Sequence, residues 1–278
     1  MKNRRILILF GILLGVVAVV VLSGVVFTVK DVTVSISNAY SELDSGEVED
    51  KLSDIKGKNI FFLSEKELTA RIEKEFPYAA VLGIERQFPS TLLIRMRERY
   101  ETYTVKYQDR YLHLDGTGTI LKISGNLENP MPAGVIKTNV FVNLDEEDCN
   151  EPVLGDKLSL KSGSIKVHLL DQLFLQSRAT SFEFRQLVKS VDLSLPSQAE
   201  IVFYSGAKYV FNSYGRELGD GSDTIQEYCR WLYYTYERID VADRSRAEIN
   251  LTVNASGKLE ISSNIGNFGD LLKLGLPE

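Results

Sequence analysis

Two histidines are the residues best suited to acid–base or metal chemistry in this 278-residue chain. His113 lies beside Asp115 in a predicted strand, and His168 lies in the middle of an apolar stretch that predicts a helix. A Ser-His-Asp triad or a zinc site needs more than this spacing offers. We therefore predict structural roles for both histidines, and neither a catalytic residue nor a metal site.

Two further stretches resemble ligand loops without completing their patterns. Gly215, Gly219 and Gly221 resemble a phosphate loop, but no Lys-Ser/Thr pair follows and no strand–loop–helix nucleotide unit surrounds them. Residues 143–151 contain five acidic side chains, four of them consecutive, but lack the glycine and closing glutamate of a calcium loop. We interpret the first stretch as a turn and the second as a solvated loop, with weak metal binding as the alternative. No cofactor is predicted.

An aromatic run at Trp231, Tyr233, Tyr234 and Tyr236 allows two interpretations. At helical spacing such residues divide between the core and its rim, whereas a sugar-binding platform would expose them. The core is the favoured interpretation. The platform belongs to the alternative that this chain is a cell-wall enzyme or a peptidoglycan-binding module.

The chain contains two cysteines, Cys149 and Cys229, in neither CxxC nor zinc spacing. Cys229 lies on a predicted helix, where a thiol packs well as a small apolar group. A disulfide between the two cysteines would require that the fold bring them together, and this alternative stays open.

The charge balance argues against nucleic acid as a partner. The formal net charge is −6, and Lys2, Arg4 and Arg5 contribute +3 at the N-terminus, so the remaining chain carries −9. Phosphate binding requires clustered lysine and arginine, which this acidic remainder does not offer.

Residues 6–27 form an uncharged stretch of 22 residues. As a helix this stretch would reach about 33 Å, enough to cross a bilayer. A cleaved signal peptide is the alternative, but its apolar region is shorter and ends in a small-residue cleavage site that is not recognisable here. The basic N-terminal flank then places residues 1–5 in the cytoplasm. We expect a single-pass cell-membrane protein with residues 28–278 outside.

The first extracellular domain is predicted at residues 28–100. Val32, Val34 and Ile36 alternate as in a half-buried strand, and a short amphipathic helix follows with Val48, Leu52 and Ile55 on one face. A second helix begins after Ser64, which forms a capping-box pattern with Glu67, and ends before Pro77. The apolar face of this helix carries Leu68, Ile72 and Phe76.

Two strands complete this domain. Ala80, Leu82 and Ile84 are predicted on one face of the first, and a turn at Pro89 leads to the second. The second strand alternates two sets of residues, apolar Leu92, Ile94 and Met96 against cationic Arg95, Arg97 and Arg99. A solvated strand face is the favoured interpretation of the arginines, and a patch for an acidic partner is the alternative. The order strand–helix–helix–strand–strand lets two helices cover one face of a three-stranded sheet.

This order of elements after a single apolar span resembles a POTRA domain. The amino-acid sequence of residues 57–99 resembles the FtsQ/DivIB family of bacterial cell division proteins. The residues that carry the family pattern are Gly57, Asn59, Ile60, Phe61, Pro77, Arg86, Phe88, Pro89, Thr91, Leu92, Glu98 and Arg99. One departure is a longer connection after the first strand, in "SISNAYSELDSG". The resemblance implies a POTRA fold for residues 28–100.

A second domain is predicted at residues 101–265, followed by a tail at residues 266–278. It begins with three strands joined by turns, followed by a loop-rich stretch. Residues 164–177 then predict a helix that is apolar nearly all round and therefore buried on more than one side. Three more strands, a helix capped by Asp223 and two final strands complete it. The predicted fold class is therefore α+β: a transmembrane helix, a POTRA domain, and a mixed α/β domain with a mainly antiparallel sheet, as the resemblance also implies. The tail would fold back or extend a docking surface.

The resemblance further implies a non-enzymatic scaffold of the division machinery. Its partners would be FtsB/DivIC-like and FtsL-like single-span proteins, and it would act indirectly on the FtsW–FtsI septal peptidoglycan synthase. In this family a partner adds a strand to the last strand of the second domain. The corresponding residues here are Lys258, Leu259, Glu260, Ile261, Ser262 and Ser263. An ordinary charged sheet edge is the alternative. A translocation-type POTRA protein would need repeated POTRA units or a β-barrel, which the sequence does not contain.

Overall fold

The structure, a computed structural model, describes residues 24, 26–37, 42–125, 139–180 and 183–274. These residues belong to two compact units that divide between Arg99 and Tyr100. Within the described residues no helix has the length and apolar character needed to span a membrane. The predicted span at residues 6–27 and the predicted tail at residues 1–5 lie almost entirely outside the described part of the chain.

From Thr28 onward, the described residues of the first unit form a three-stranded sheet and two helices. Its elements are β1 (Asp31–Ser37), α1 (Ser45–Lys51), α2 (Glu65–Glu75), β2 (Ala79–Gln87) and β3 (Thr91–Glu98), with 3-10 turns at Ser53–Ile55 and Ile60–Phe62. The central strand β3 runs parallel to β1 and antiparallel to β2. The predicted strand–helix–helix–strand–strand order is confirmed.

The first unit buries the apolar side of β3 beneath its helices. Leu92, Ile94 and Met96 are at most 1% exposed, whereas Arg95 is exposed and pairs with Glu85. Capping defines where the helices begin, because the Asp44 carboxylate accepts from the Glu47 N–H and the Ser64 hydroxyl accepts from the Glu67 N–H. Arg95 and Arg97 fit the solvated interpretation of the arginines. Arg99 does not, because it follows the end of β3, is only 16% exposed and pairs with Glu73 at 3.2 Å.

A bulge in β2 corrects one predicted face. The register between β2 and β3 shifts between Val81 and Gly83, so Leu82 is an extra residue without a partner on β3. Leu82 is 59% exposed, and its predicted place beside Ala80 and Ile84 is wrong. Because the bulge changes the phase of the strand, Val81 and Ile84 both pack against the core.

The second unit is built on a nine-stranded sheet with the order β12-β11-β10-β9-β8-β7-β4-β5-β6. Its strands are β4 (Tyr103–Tyr107), β5 (Arg110–Leu114), β6 (Ile120–Ser124), β7 (Val140–Asn143), β8 (Val188–Asp192), β9 (Gln198–Phe203), β10 (Lys208–Asn212), β11 (Glu248–Val253) and β12 (Leu259–Ser263). Antiparallel pairs outnumber parallel ones, as predicted.

The helices of the second unit are α3 (Ile165–Ser177), α4 (Phe184–Leu187), α5 (Thr224–Tyr236) and α6 (Leu271–Leu274), with 3-10 turns at Glu146–Asp148, Arg244–Arg246 and Phe268–Asp270. Helices α3 and α5 pack against each other, and the buried Tyr233 hydroxyl donates to the Leu173 carbonyl at 2.7 Å. Helix α3 was predicted to be buried on more than one side. Instead one stripe of it is fully buried, and Leu175 is exposed.

The turn between β11 and β12 depends on a close backbone contact. Gly257 has a φ of +75°, and a Cβ at this position would lie 2.7 Å from the Gly219 nitrogen. Gly221 has a similar φ of +78°, but a Cβ there would meet nothing within 4 Å. A side chain at either glycine would therefore strain the backbone, but only at Gly257 would its Cβ also lack space.

We expect Gly257→Ala to cost more stability than its matched control Gly221→Ala. Gly221→Ala should cost about 1–2 kcal/mol, the penalty of left-handed backbone for a residue with a Cβ. Gly257→Ala should cost at least about 1 kcal/mol more, because backbone must also move. Urea unfolding followed by the fluorescence of Trp231, the single tryptophan, measures both losses. Equal losses would contradict the close approach of Gly219.

Candidate partner-binding edge

Strand β12 forms one outer edge of the nine-stranded sheet, with β11 as its neighbour. The preceding turn is fixed by Asn254, whose side-chain oxygen accepts from the N–H groups of Ser256 and Lys258. The six residues predicted to dock a partner are contiguous at this edge. Lys258 precedes the strand, and the other five residues form it.

The pairing of β11 with β12 determines which backbone groups point outward. Asn254 and Lys258 form a hydrogen-bonded pair, as the Asn254 N–H donates to the Lys258 carbonyl at 2.9 Å. Antiparallel pairs alternate between hydrogen-bonded and open ones, so the Leu251–Ile261 and Val253–Leu259 pairs are open. The N–H and C=O groups of Leu259, Ile261 and Ser263 are therefore directed away from β11, toward the edge.

The side chains of β12 alternate between the core and solvent. Ile261 is 6% exposed and Leu259 packs partly buried against the core, whereas Lys258, Glu260 and Ser262 are exposed. The Glu260 carboxylate accepts from the Asn254 amide at 2.7 Å. Core packing thus fixes the strand, and its outward backbone forms a row of donors and acceptors.

The C-terminal segment after β12 folds back along this edge. Phe268, Leu271 and Leu272 pack against the core of the second unit. A Cβ built on Gly269 would lie 3.3 Å from the Ile261 carbonyl oxygen. Together with residues near the end of α5, including Arg238 and Asp243, the segment lines a cavity of about 290 Å³. Of the two predicted possibilities, the described part of the tail folds back.

His113 lies in a buried polar cluster that its sequence spacing does not reveal. Its Nδ1 is 2.9 Å from the Glu101 carboxylate, and its Nε2 is 2.8 Å from the Ser124 hydroxyl. This is the order of groups in a serine hydrolase relay. However, the imidazole is 1% exposed, and its contact with Glu101 lacks the alignment of a hydrogen bond. The geometry therefore favours the predicted structural role.

His168 links the two long helices at the surface. Its Nε2 lies 2.6 Å from the Asp223 carboxylate, whose other oxygen accepts from the N–H groups of Ile225 and Gln226 at the start of α5. Partial burial raises the pKa of Asp223, but the bonds from His168 and the backbone outweigh it and lower the pKa overall. Asp223 is therefore the predicted helix cap.

The acidic loop at residues 143–151 is held by protein contacts. Asp148 accepts from Lys166 at 2.8 Å and from both the N–H and the hydroxyl of Ser162. Burial alone raises the pKa of Asp148, but the bonds from Lys166 and Ser162 outweigh it and lower the pKa overall. Among the residues described, no group of three or more His, Cys, Asp or Glu side chains is arranged to hold a metal ion.

The remaining candidates are structural. Trp231, Tyr233 and Tyr236 are at most 4% exposed, so the sugar-platform interpretation is wrong for them, and only Tyr234 lies partly at the surface. Both cysteines are buried and no disulfide joins them, so the disulfide alternative is also wrong. The glycine-rich stretch forms turns before α5, as predicted.

Part of the family pattern, including Asn59, Ile60 and Arg86, lies together in the first unit, whereas Pro77, Glu98 and Arg99 lie at the opposite end of the β2–β3 pair. Arg86 donates to the carbonyls of Ile60 and Leu63, and Asn59 accepts from the N–H of Phe61. The family model of the POTRA domain, FtsQ-type, matches residues 28–99. These residues form an FtsQ-type POTRA domain. The match supports membership of the chain in the FtsQ/DivIB family, as the resemblance implied.

The FtsQ-type POTRA domain indicates a cell division protein that takes part in protein interactions within a division complex. No curated protein matches the chain. The POTRA match covers only the first unit. The edge of the second unit is therefore a candidate site that rests on its geometry and on the resemblance to FtsQ/DivIB proteins.

We expect Asp148→Asn to destabilise the second unit by about 1–3 kcal/mol at neutral pH, because it removes the counter-charge of Lys166, whose side chain is 5% exposed. A lowered native pKa means that the carboxylate stabilises the fold above its ordinary value of 3.8 and loses this effect as pH falls through the native pKa. The difference between the two proteins in urea unfolding should therefore vanish in acid.

Asp145→Asn is the matched control in the same loop. Asp145 caps a 3-10 turn by accepting from the Glu147 N–H, and asparagine caps equally well, so little change is expected. A large loss for Asp145→Asn, or a rise in the unfolding midpoint of the unaltered chain on adding calcium, would contradict the structural interpretation of this loop.

Proposed function

We propose that this protein is a non-enzymatic, membrane-anchored scaffold of the cell division machinery. Its residues 28–278 would lie outside the cell membrane, held by residues 6–27. There it would bind FtsB/DivIC-like and FtsL-like single-span partners and so help to assemble or regulate septal peptidoglycan synthesis by an FtsW–FtsI-type synthase. The match to the FtsQ-type POTRA domain supports a role in cell division. The choice of partners is supported by the resemblance to FtsQ/DivIB proteins.

The observation that carries the docking proposal is the outward backbone of β12. A partner segment can extend the sheet by pairing with Leu259, Ile261 and Ser263, because their backbone groups face away from β11. The buried side chain of Ile261 holds this row in place. Affinity would come from backbone hydrogen bonds, and anchoring of both proteins in one membrane would raise their effective concentration.

The folded-back tail limits how a partner pairs. Gly269 lies beside the Ile261 carbonyl, which a partner strand would use as an acceptor. Full pairing along β12 therefore requires the segment around Gly269 to shift, whereas pairing at Leu259 does not. Exposed charges at Lys258 and Glu260 flank the unobstructed end, where they would discriminate against unrelated strands.

We expect Ile261→Pro to prevent co-purification of the FtsB/DivIC-like partner with the full chain. Proline removes the outward N–H and its ring obstructs pairing, so at least about a tenfold loss of affinity is expected. Ile261→Ala is the matched control, because it removes most of the same side chain and keeps the N–H.

Trp231 fluorescence checks that the second unit of each variant is folded. A normal pull-down with Ile261→Pro would refute docking by strand addition. Equal loss with Ile261→Ala would show that the side chain, rather than the outward backbone, carries the interaction, and this would also contradict the proposal.

A further inference from the structure

The first unit exposes aromatic rings that its core does not use. Phe61, Phe62 and Phe88 are 53%, 87% and 57% exposed. Phe61 contacts Phe88 with ring centroids 5.2 Å apart, and Phe27 contacts Phe61 at 5.0 Å. We refer to Phe27, Phe61, Phe62 and Phe88 as the aromatic cluster. Exposed apolar groups gathered in one place mark an interaction surface more often than scattered ones do.

Backbone hydrogen bonds fix the aromatic cluster to the start of the first unit. The Ile60 N–H donates to the Phe27 carbonyl at 2.8 Å, and the Gly57 N–H donates to the Val29 carbonyl at 2.9 Å. Arg86 holds the carbonyl of Ile60 from the other side at 3.0 Å. The rings therefore lie on rigid backbone, and their position relative to the entering chain is set.

The chain that enters the cluster identifies what could cover it. Residues 6–26 are uncharged and lead directly into Phe27. Gly24 and Val26 are helical, and the Thr28 hydroxyl donates to the Gly24 carbonyl at 2.5 Å. If residues 6–27 cross the bilayer, the cluster lies where the chain leaves the hydrocarbon, at the level of the lipid headgroups.

The chemistry of the cluster fits that level of the membrane. Phenylalanine rings gain free energy by entering the boundary between headgroups and acyl chains. Lys30 and Lys56, which flank the hydrogen-bonded Val29 and Gly57, are exposed, as is common beside anionic headgroups. An apolar tip with adjacent cations thus matches a lipid surface.

We infer that Phe61, Phe62 and Phe88 insert into the lipid interface and hold the POTRA domain against the membrane surface. This inference rests on the membrane anchor of the proposed function. The domain would then be oriented by a second contact in addition to the anchor, which restricts the directions in which it presents its sheet.

Quenching by lipid measures this insertion. The full chain is reconstituted into vesicles of phosphatidylcholine and phosphatidylglycerol, with and without bromine on the acyl chains. Phe62→Trp places a reporter in the cluster, and the unaltered chain supplies the Trp231 background for subtraction. Leu82→Trp is the matched control, because Leu82 is 59% exposed on the same unit and lies about 20 Å from Phe88 along β2.

We expect brominated lipid to quench the tryptophan at position 62 at least about twofold more than the one at position 82, since quenching requires contact with acyl chains. Equal or absent quenching at position 62 in chains that stay with the vesicles after an alkaline wash would overturn the inference and leave the anchor intact. Release of the chain by that wash would overturn both the inference and the anchor. Emission that shifts with protein concentration but not with lipid would assign the cluster to a second copy, and this too would overturn the inference.

Discussion

The pairing of β11 with β12 is the interaction on which the candidate function depends. Leu251 and Ile261 face each other in an open pair, and both side chains are buried in the core of the second unit. This one register sends the Ile261 side chain inward and its backbone groups outward. A shift by one residue would exchange the two and place Glu260 in the core, at a large cost in free energy. The docking row is therefore a consequence of core packing.

The two units have different means of presenting a surface. In the POTRA unit, hydrogen bonds from Arg86 to the Ile60 carbonyl and from the Ile60 N–H to the Phe27 carbonyl hold the backbone that carries the exposed aromatic rings. The second unit uses an unpaired sheet edge, partly flanked by its own tail at Gly269. Neither device requires catalytic residues. The polar clusters best suited to chemistry instead stabilise the fold, because His113 is buried and Asp148 is paired with Lys166.

Much of the fold follows from local sequence patterns. Helix caps at Ser64 and Asp223 mark where helices begin, and alternation in β3 predicts which residues are buried. The last strand and its inward residues were predicted from alternation and from the resemblance to FtsQ/DivIB proteins. These features depend on residues close in sequence, and tertiary contacts did not override them.

The features that sequence did not predict arise from contacts between distant residues. The bulge at Leu82 depends on the register with β3, and alternation within one strand carries no signal for an extra residue. His113, Glu101 and Ser124 meet only because the sheet brings three separate segments of the chain together. The aromatic cluster likewise brings Phe27 into contact with Phe61 and Phe88, and the spacing of these residues in the sequence does not predict that contact.

Amide hydrogen exchange, measured residue by residue with and without the FtsB/DivIC-like partner, tests the central claim most directly. If a partner strand adds to the edge, the outward amides of Leu259, Ile261 and Ser263 become protected, while those of Glu260 and Ser262, already directed toward β11, change little. Protection elsewhere on the second unit, with these three amides exchanging as fast as in the free protein, would contradict the account.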